Sequence, residues 1–395
     1  MKRHARSLKG HSMNRNTIIL SFLYLVPWGI QCLVTNFMPV YLAELPFTNE
    51  EIIGYIMAFA SVVTIVSQMV WARIADKSKN KNLVLMWSLI GVTAFALMFT
   101  LRNMSLLTVC ILVFLFYSCY MVHQTLIDTI AVEQGKNLKM PFSTVRSFAS
   151  LGYALAGMIF GLAGQQSAGA IFYFVAFLGL LSVFFAIAMP KADVSIKKEK
   201  ESKDFKAGKS FVLLLVYTFM LYIGTSMIST FFPVYYSTVL NGDLDFLSFV
   251  IGLAAIPEWL LMVVIGKWIS KISPKIQFAI IALSGCLMSA IFCLVTNTYV
   301  VVVGYIFQAL LFAFLWSSTT PYIAKIVPVK NLTVAQGTWT LCSSGIATAI
   351  GSVLGGIFSG YFGLRNLFLF LTCWLLGLTA LCCVLFPKLK EETVQ

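Results

Sequence analysis

From Ile171 to Met189 the chain reads IFYFVAFLGLLSVFFAIAM, with no charged residue and no proline. A segment this long and this apolar can cross the hydrocarbon of a bilayer, which takes roughly 20 residues of helix. Hydrocarbon offers no partner to a backbone N–H or C=O, so a single crossing segment must pair its own groups as an α-helix. Segments of this kind recur near 17–42, 51–72, 82–101, 104–131, 142–164 and 167–189, and again near 210–240, 246–268, 276–296, 298–325, 333–361 and 365–386. Only 11% of the residues are charged, against about a quarter in soluble domains, and the mean hydropathy is +0.89. The period-2 alternation of an outer-membrane barrel is absent. The pattern predicts an all-α membrane protein with twelve transmembrane helices in two pseudo-symmetric six-helix bundles.

The net charge of +13 would point to nucleic acid in a soluble protein. Here the basic residues fall in alternate loops: the N-terminal tail, Lys77–Lys81, Lys136–Lys139, the linker around KKEKESKDFKAGK, Lys267–Lys275, Lys325–Lys330, and Lys388 with Lys390. Between them, the other set of loops holds Arg102 and Arg365. The positive-inside rule makes the basic side cytoplasmic. The expectation is a multi-pass protein of the cell (plasma or inner) membrane with both termini in the cytoplasm, surrounded by lipid and without a nucleic-acid partner. Its segments are a tail (1–16), a first bundle (17–190), a cytoplasmic linker (191–209), a second bundle (210–387) and a tail (388–395). The basic N-terminus lacks a small-residue cleavage site at signal-peptide distance and reads as a cytoplasmic tail, with Met13 as an alternative start.

WARIADKSKNK after span 2 and IGKWISKISPK after span 8 occupy the same place in each half, with Lys77 opposite Lys271. The halves therefore read as a duplicated unit, an arrangement that places a binding site between them near mid-membrane. The first of these loops resembles the signature of the major facilitator superfamily in Ala72, Arg73, Asp76, Lys77 and Lys81, with alanine in place of the usual glycine. That resemblance implies a cytoplasmic gate at Arg73, Asp76 and Lys77. The plainer reading is a positive-inside loop containing one acid.

Of the 15 acidic residues, thirteen fall in loops or tails, and Asp128 and Glu258 fall inside spans. A carboxylate at membrane depth is costly, faces a cavity and generally has a role. Asp128 lies near the cytoplasmic end of span 4 and Arg146 near the start of span 5, joined by a short turn, so both can face one cavity or both can snorkel to the surface. The stretch from Asp128 through Arg146, Phe148 and Gly152 to Tyr153 resembles the lactose permease group of oligosaccharide–proton symporters. In that group an acid on helix 4 is followed at the same spacing (146 − 128 = 18) by an arginine, a phenylalanine, a glycine and an aromatic residue. The resemblance implies that Asp128 and Arg146 bind sugar hydroxyls and that Tyr153 is a stacking platform. Glu258 falls at about the place of that group's helix-8 glutamate, which implies a proton-coupling site at Glu258 with Asp128 second. Gln308 falls near its functional histidine. Nucleoside and phenylpropionate permeases resemble this stretch as well. The chain departs from the group in the C-terminal half, where spans 7, 9 and 11 carry no charge and span 10 has Lys325 at its end.

Polar and aromatic residues within other spans complete the candidate solute site: Trp28, Gln31 and Asn36 on span 1, His123 and Gln124 on span 4, Tyr217 and Tyr222 on span 7, and Trp316 on span 10. Hydroxyl-rich ligands are held by a few such groups and an aromatic face. There is no GxxxxGK[ST] motif, zinc pattern or nucleophile elbow, and the nine cysteines follow no metal spacing. The reading is a secondary transporter without cofactor or metal, not an enzyme. It would act as a monomer in proton-coupled symport of a sugar or nucleoside-like solute. The alternative is a proton-driven multidrug efflux antiporter, whose helix-5 signature span 5 matches only in its glycines.

Overall fold

The computed structural model describes residues 15–78, 80–101, 104–134, 145–164, 168–190, 208–328 and 331–385. Eleven helices among them are long and apolar enough to cross a membrane, and Phe148–Leu162 is a shorter apolar helix. The first six spans are Arg15–Ala43, Glu50–Lys77, Lys81–Met98, 106–133 with a break, Phe148–Leu162 and Ile171–Ala188. The second six are Lys209–Thr238, Leu244–Trp268, Pro274–Leu294, Val301–Ile326, 332–362 and Leu364–Leu385. No strand occurs among the described residues, so the all-α membrane fold stands as expected. Large side chains such as Leu162, Leu294 and Phe177 face outward, as a lipid-facing surface requires.

Span starts are set by short polar caps. The side chain of Asn49 accepts from the Ile52 N–H at 2.9 Å, with Glu50 and Glu51 in the first turn, where the helix dipole favours acids. Asp243 caps span 8 in the same way, accepting from Asp245 N–H at 2.9 Å, and Pro274 opens span 9, where its missing N–H costs nothing. Spans 11 and 12 are joined through Gly363 at φ 82°, a left-handed conformation that glycine adopts freely.

Because successive spans reverse direction, the starts of spans 1 and 7 share one face, here called the terminal face, and the 44–49 and 239–243 turns share the opposite face. Across the two halves, span 5 packs on span 8, span 2 on span 11, and span 1 on span 7. The first two contacts are backbone on backbone near the opposite face. A Cβ built on Gly157 would stand 2.8 Å from the Gly252 Cα, and one on Gly54 would stand 3.0 Å from the Gly356 Cα. Ser248 Oγ donates to the Gly157 carbonyl at 2.9 Å across the same contact.

Three features depart from the sequence reading. Span 2 stays helical through Lys77, so Arg73, Asp76 and Lys77 sit on a last helical turn and not in a loop. Trp71 anchors that turn by donating to the Ser118 carbonyl at 2.8 Å. Span 4 is broken at Met121 (φ −88°, ψ 4°), and Gln68 Nε2 reaches the Met121 carbonyl at 3.3 Å. Span 11 carries a π-helical segment, Leu341–Ala347, a distortion favoured at functional positions. The predicted tails, most of the 191–209 linker and the Lys136–Lys139 loop lie outside the described residues.

Candidate functional site

Tyr24, Trp28, Gln31 and Thr35 repeat at i, i+4, i+7 and i+11 on span 1, one stripe of an α-helix, and this stripe faces spans 4 and 5. The approach of span 1 to span 5 depends on Gly152, where an added Cβ would collide with the Leu25 backbone. With the two backbones this close, side chains from spans 1, 4 and 5 meet near the terminal face.

There the Arg146 Nε lies 3.6 Å from Asp128 Oδ1, and the two side chains keep 39% and 45% of their surface accessible. This is a loose ion pair, longer than a charge-assisted hydrogen bond. The shorter contact to Asp128 is from Tyr24, whose hydroxyl donates to Oδ1 at 2.6 Å. The Arg146 guanidinium lies over two rings, 4.6 Å from the centroid of Trp28 and 5.5 Å from that of Tyr24. Cation–π contacts of this kind contribute roughly 0.5–2 kcal/mol each, depending on desolvation. Among the described residues, two aromatic faces and one carboxylate thus position a guanidinium that carries five N–H donors. The arrangement can accept a ligand that offers hydroxyl or carbonyl oxygens to Arg146 and hydroxyl protons to Asp128.

Deeper along the same stripe, Gln124 Nε2 donates to Gln31 Oε1 at 2.8 Å. Asn36 Nδ2 donates to the Cys32 carbonyl at 2.7 Å and to the Tyr153 hydroxyl at 2.9 Å. Tyr153, expected from the resemblance to be a stacking platform, is engaged through its hydroxyl, and its ring packs against the core. His123 is buried, with its ring edge-on to Trp28 at 5.1 Å. Its Nδ1 contacts the Tyr120 carbonyl at 2.7 Å, which assigns the proton to Nδ1, while its Nε2 is buried without a partner among the described residues. His123 therefore stands behind Trp28, where it orients the indole.

Glu258 comes from the other half. It follows Pro257 in span 8, and a proline at that point cannot donate to the carbonyl one turn earlier. The span 5–span 8 contact pairs Gly161 with Asp245 and Gly157 with Gly252. Continued antiparallel toward the terminal face, that register brings Glu258 level with Ser150 and Tyr153. Among the described residues no hydrogen bond or ion pair reaches Glu258. Gln308 is partly buried, and Trp316 stands edge-on to Trp339 at 5.8 Å. Neither is brought against the Asp128–Arg146 pair by any described contact. Tyr217 is committed to packing, its hydroxyl donating to the Phe278 carbonyl at 2.6 Å, and Tyr222 is buried. Arg73 and Lys77 are exposed at the end of span 2, and the Asp76 side chain lies outside the described residues.

Sequence reasoning missed Tyr24, the closest partner of Asp128. Its signal is the i, i+4, i+7 spacing to Trp28 and Gln31, two residues that stand out for their ring and their polarity. Tyr120 was missed as well. Its hydroxyl lies 3.4 Å from both Thr35 Oγ1 and the Gln31 carbonyl, and it reads as core in a run such as VFLFYSCY.

The model of the MFS_1 like family matches residues 17–370. A maltose permease of Geobacillus stearothermophilus is 27% identical over 216 residues, which span 53% of the chain and 53% of that permease; the chain thus matches about half the length of that relative. A crystal structure of the nucleoside transporter NupG superposes with a TM-score of 0.79 at 16% identity, covering 95% of this chain and 100% of that one. A POT family transporter in complex with 5-aminolevulinic acid gives a TM-score of 0.74 at 14% identity, covering 93% of this chain and 96% of that one. At such identities the two structures share the fold.

Proposed function

Because the chain belongs to the MFS_1 like family of membrane transporters, we propose that it carries a hydroxyl-rich polar solute, a sugar or a nucleoside, across the cell membrane by alternating access coupled to protons. One observation carries the reading: Arg146 is held over the Trp28 and Tyr24 rings but only loosely by Asp128, in an accessible position. A structural ion pair would be closed and shielded. A pair awaiting a ligand keeps donors and acceptors open beside an aromatic face, as hydroxylated solutes require. The relative named for maltose and the structural neighbour named for nucleosides support the same solute class.

In this reading the basic terminal face is cytoplasmic, and the halves 17–190 and 210–387 rock about the site in a monomer. Glycine contacts close the opposite mouth while the Arg146–Asp128 pair faces the cytoplasm. Arg73, Asp76 and Lys77 then belong to the cytoplasmic gate, which is open in this state. Glu258, level with Tyr153 across the interface and without a fixed partner among the described residues, is the proton carrier.

The test is a thermal-shift panel of sugars, nucleosides and aromatic acids on the purified protein, followed by binding measurements on Arg146→Ala. A solute at 100 times its Kd adds about 2.7 kcal/mol to a two-state stability, which such a screen reads readily. A sugar or nucleoside should stabilise the wild-type chain, and Arg146→Ala should lose that response while remaining folded. Stabilisation by hydrophobic cations alone would replace this reading with the efflux antiporter.

A further inference from the structure

The described surface has a cleft outside the solute site. It lies where the start of span 1 passes the end of span 6, is lined by Arg15, Ile18, Ile19, Phe184, Phe185 and Ala188, and is an open groove of about 370 Å³. The Phe22 and Phe185 rings stack across the same two spans at 4.7 Å, which closes the end of the cleft that points into the membrane. Its rims are open to the bilayer: Ile18 is 41% exposed, Phe184 62% and Ile187 65%. The cleft is therefore a notch in the lipid-facing surface. Its described walls are hydrocarbon, and among the described residues one guanidinium, that of Arg15, stands at the end that meets the headgroup layer.

We propose that this notch holds one anionic phospholipid, its acyl chain lying between spans 1 and 6 and its phosphate paired with Arg15. Two features of the notch select that occupant. Apolar walls at membrane depth fit a hydrocarbon chain, which excludes a free anion. The cation at the headgroup level favours an anionic lipid over a zwitterionic one, as basic pockets between transmembrane helices do. An arginine suits phosphate because its N–H groups form a planar fork. The consequence reaches the solute site, because span 1 runs on from Arg15 to Tyr24 and Trp28, about two and a half and three and a half turns along the same helix. A lipid that fixes the start of span 1 fixes the platform under Arg146.

The repeat supplies an internal control. Lys209 opens span 7 where Arg15 opens span 1, 194 residues on (209 − 15 = 194), the same offset that relates Lys77 to Lys271. The experiment is native mass spectrometry of the full chain after equilibration with vesicles of equal parts phosphatidylglycerol and phosphatidylcholine. Wild type should retain one phosphatidylglycerol in preference to phosphatidylcholine by about fivefold, the bias that one basic residue near a membrane surface gives. Arg15→Gln should abolish that preference, Lys209→Gln should keep it, and Ala188→Trp, which fills the notch, should lose retention of both lipids. Circular dichroism confirms that each variant is helical before it is scored. Equal retention of the two lipids by wild type overturns the proposal, as does an unchanged preference in Arg15→Gln. An equal loss in Lys209→Gln also overturns it, because the effect would then be general surface charge. None of these outcomes depends on the identity of the transported solute.

Discussion

Replacing Gly157 with alanine adds a single methyl group to the contact between spans 5 and 8. The structure places that methyl 2.8 Å from the Gly252 Cα, 2.9 Å from the Gly252 nitrogen and 3.0 Å from the Ser248 carbonyl oxygen. All three are backbone atoms of a helix and none can rotate aside, so the two spans must separate by several tenths of an ångström. Overpacking of this kind costs typically about 1–3 kcal/mol. In the alternating-access reading the cost falls on the state described here, with the opposite mouth shut and the two backbones in contact. The equilibrium should therefore move toward opening of that mouth by a factor of roughly 5–150, since each 1.4 kcal/mol is tenfold. Hydrogen exchange of the amides in 158–162 and 248–252, read by mass spectrometry in detergent, should rise by a comparable factor. Gly377→Ala is the matched control, because a Cβ there meets nothing within 4 Å. Unchanged exchange in Gly157→Ala, or an equal rise in Gly377→Ala, would refute the idea that this glycine contact is what holds the mouth closed.

Glu258→Gln should abolish uphill accumulation in proteoliposomes driven by a pH gradient while leaving solute exchange between the two sides intact; unchanged accumulation would remove Glu258 from proton coupling. Tyr24→Phe deletes a hydrogen bond to a carboxylate, worth at the low end about 1 kcal/mol because Asp128 is nearly half accessible. Solute affinity measured by calorimetry should fall about fivefold, with melting temperature almost unchanged. Gly152→Ala drives a methyl group into the Leu25 backbone and should lower the melting temperature by several degrees, or the yield of folded protein, more than any other glycine-to-alanine change on span 5. A Gly152→Ala protein with wild-type stability would show that spans 1 and 5 can separate freely.

Much of this architecture is legible in the sequence because hydrocarbon imposes it. Uninterrupted apolar blocks give the spans, and Asn49, Asp243 and Pro274 mark where several of them begin. The Asp128–Arg146 pair is legible for the same reason, since a charge that survives inside a span stands out against its background. What the sequence conceals is made of ordinary residues. Tyr24 lies in a run of aliphatic and aromatic side chains that reads as lipid-facing or core, and only the approach of span 1 to span 5 over Gly152 turns its hydroxyl toward Asp128. The break at Met121 carries no proline or glycine to announce it; its carbonyl is taken up by Gln68 of another span, a tertiary compensation that no local pattern encodes. The helical turn through Arg73 and Lys77 resembles a loop in the sequence because charge suggests the end of a span, whereas a helix continues readily past the membrane surface with charged residues in its last turn. Tyr153 stands at the interface that the sequence suggests, but in a different role, because the hydroxyl it carries finds Asn36.

The glycine contacts between spans 5 and 8 and between spans 2 and 11 have a physical corollary. They hold by the close approach of backbone to backbone, so volume is the main handle on them; the Glu51 side chain lies beside Gly360 at the second contact, and the Gly157–Gly252 contact is glycine against glycine. The terminal face instead carries the accessible Arg146–Asp128 pair, which salt screens. The two ends of the molecule therefore answer to different variables, one to size and one to charge. Raising ionic strength should change the rate at which solute is captured or released at the Arg146 end, and leave the tightness of the glycine-lined end as it was.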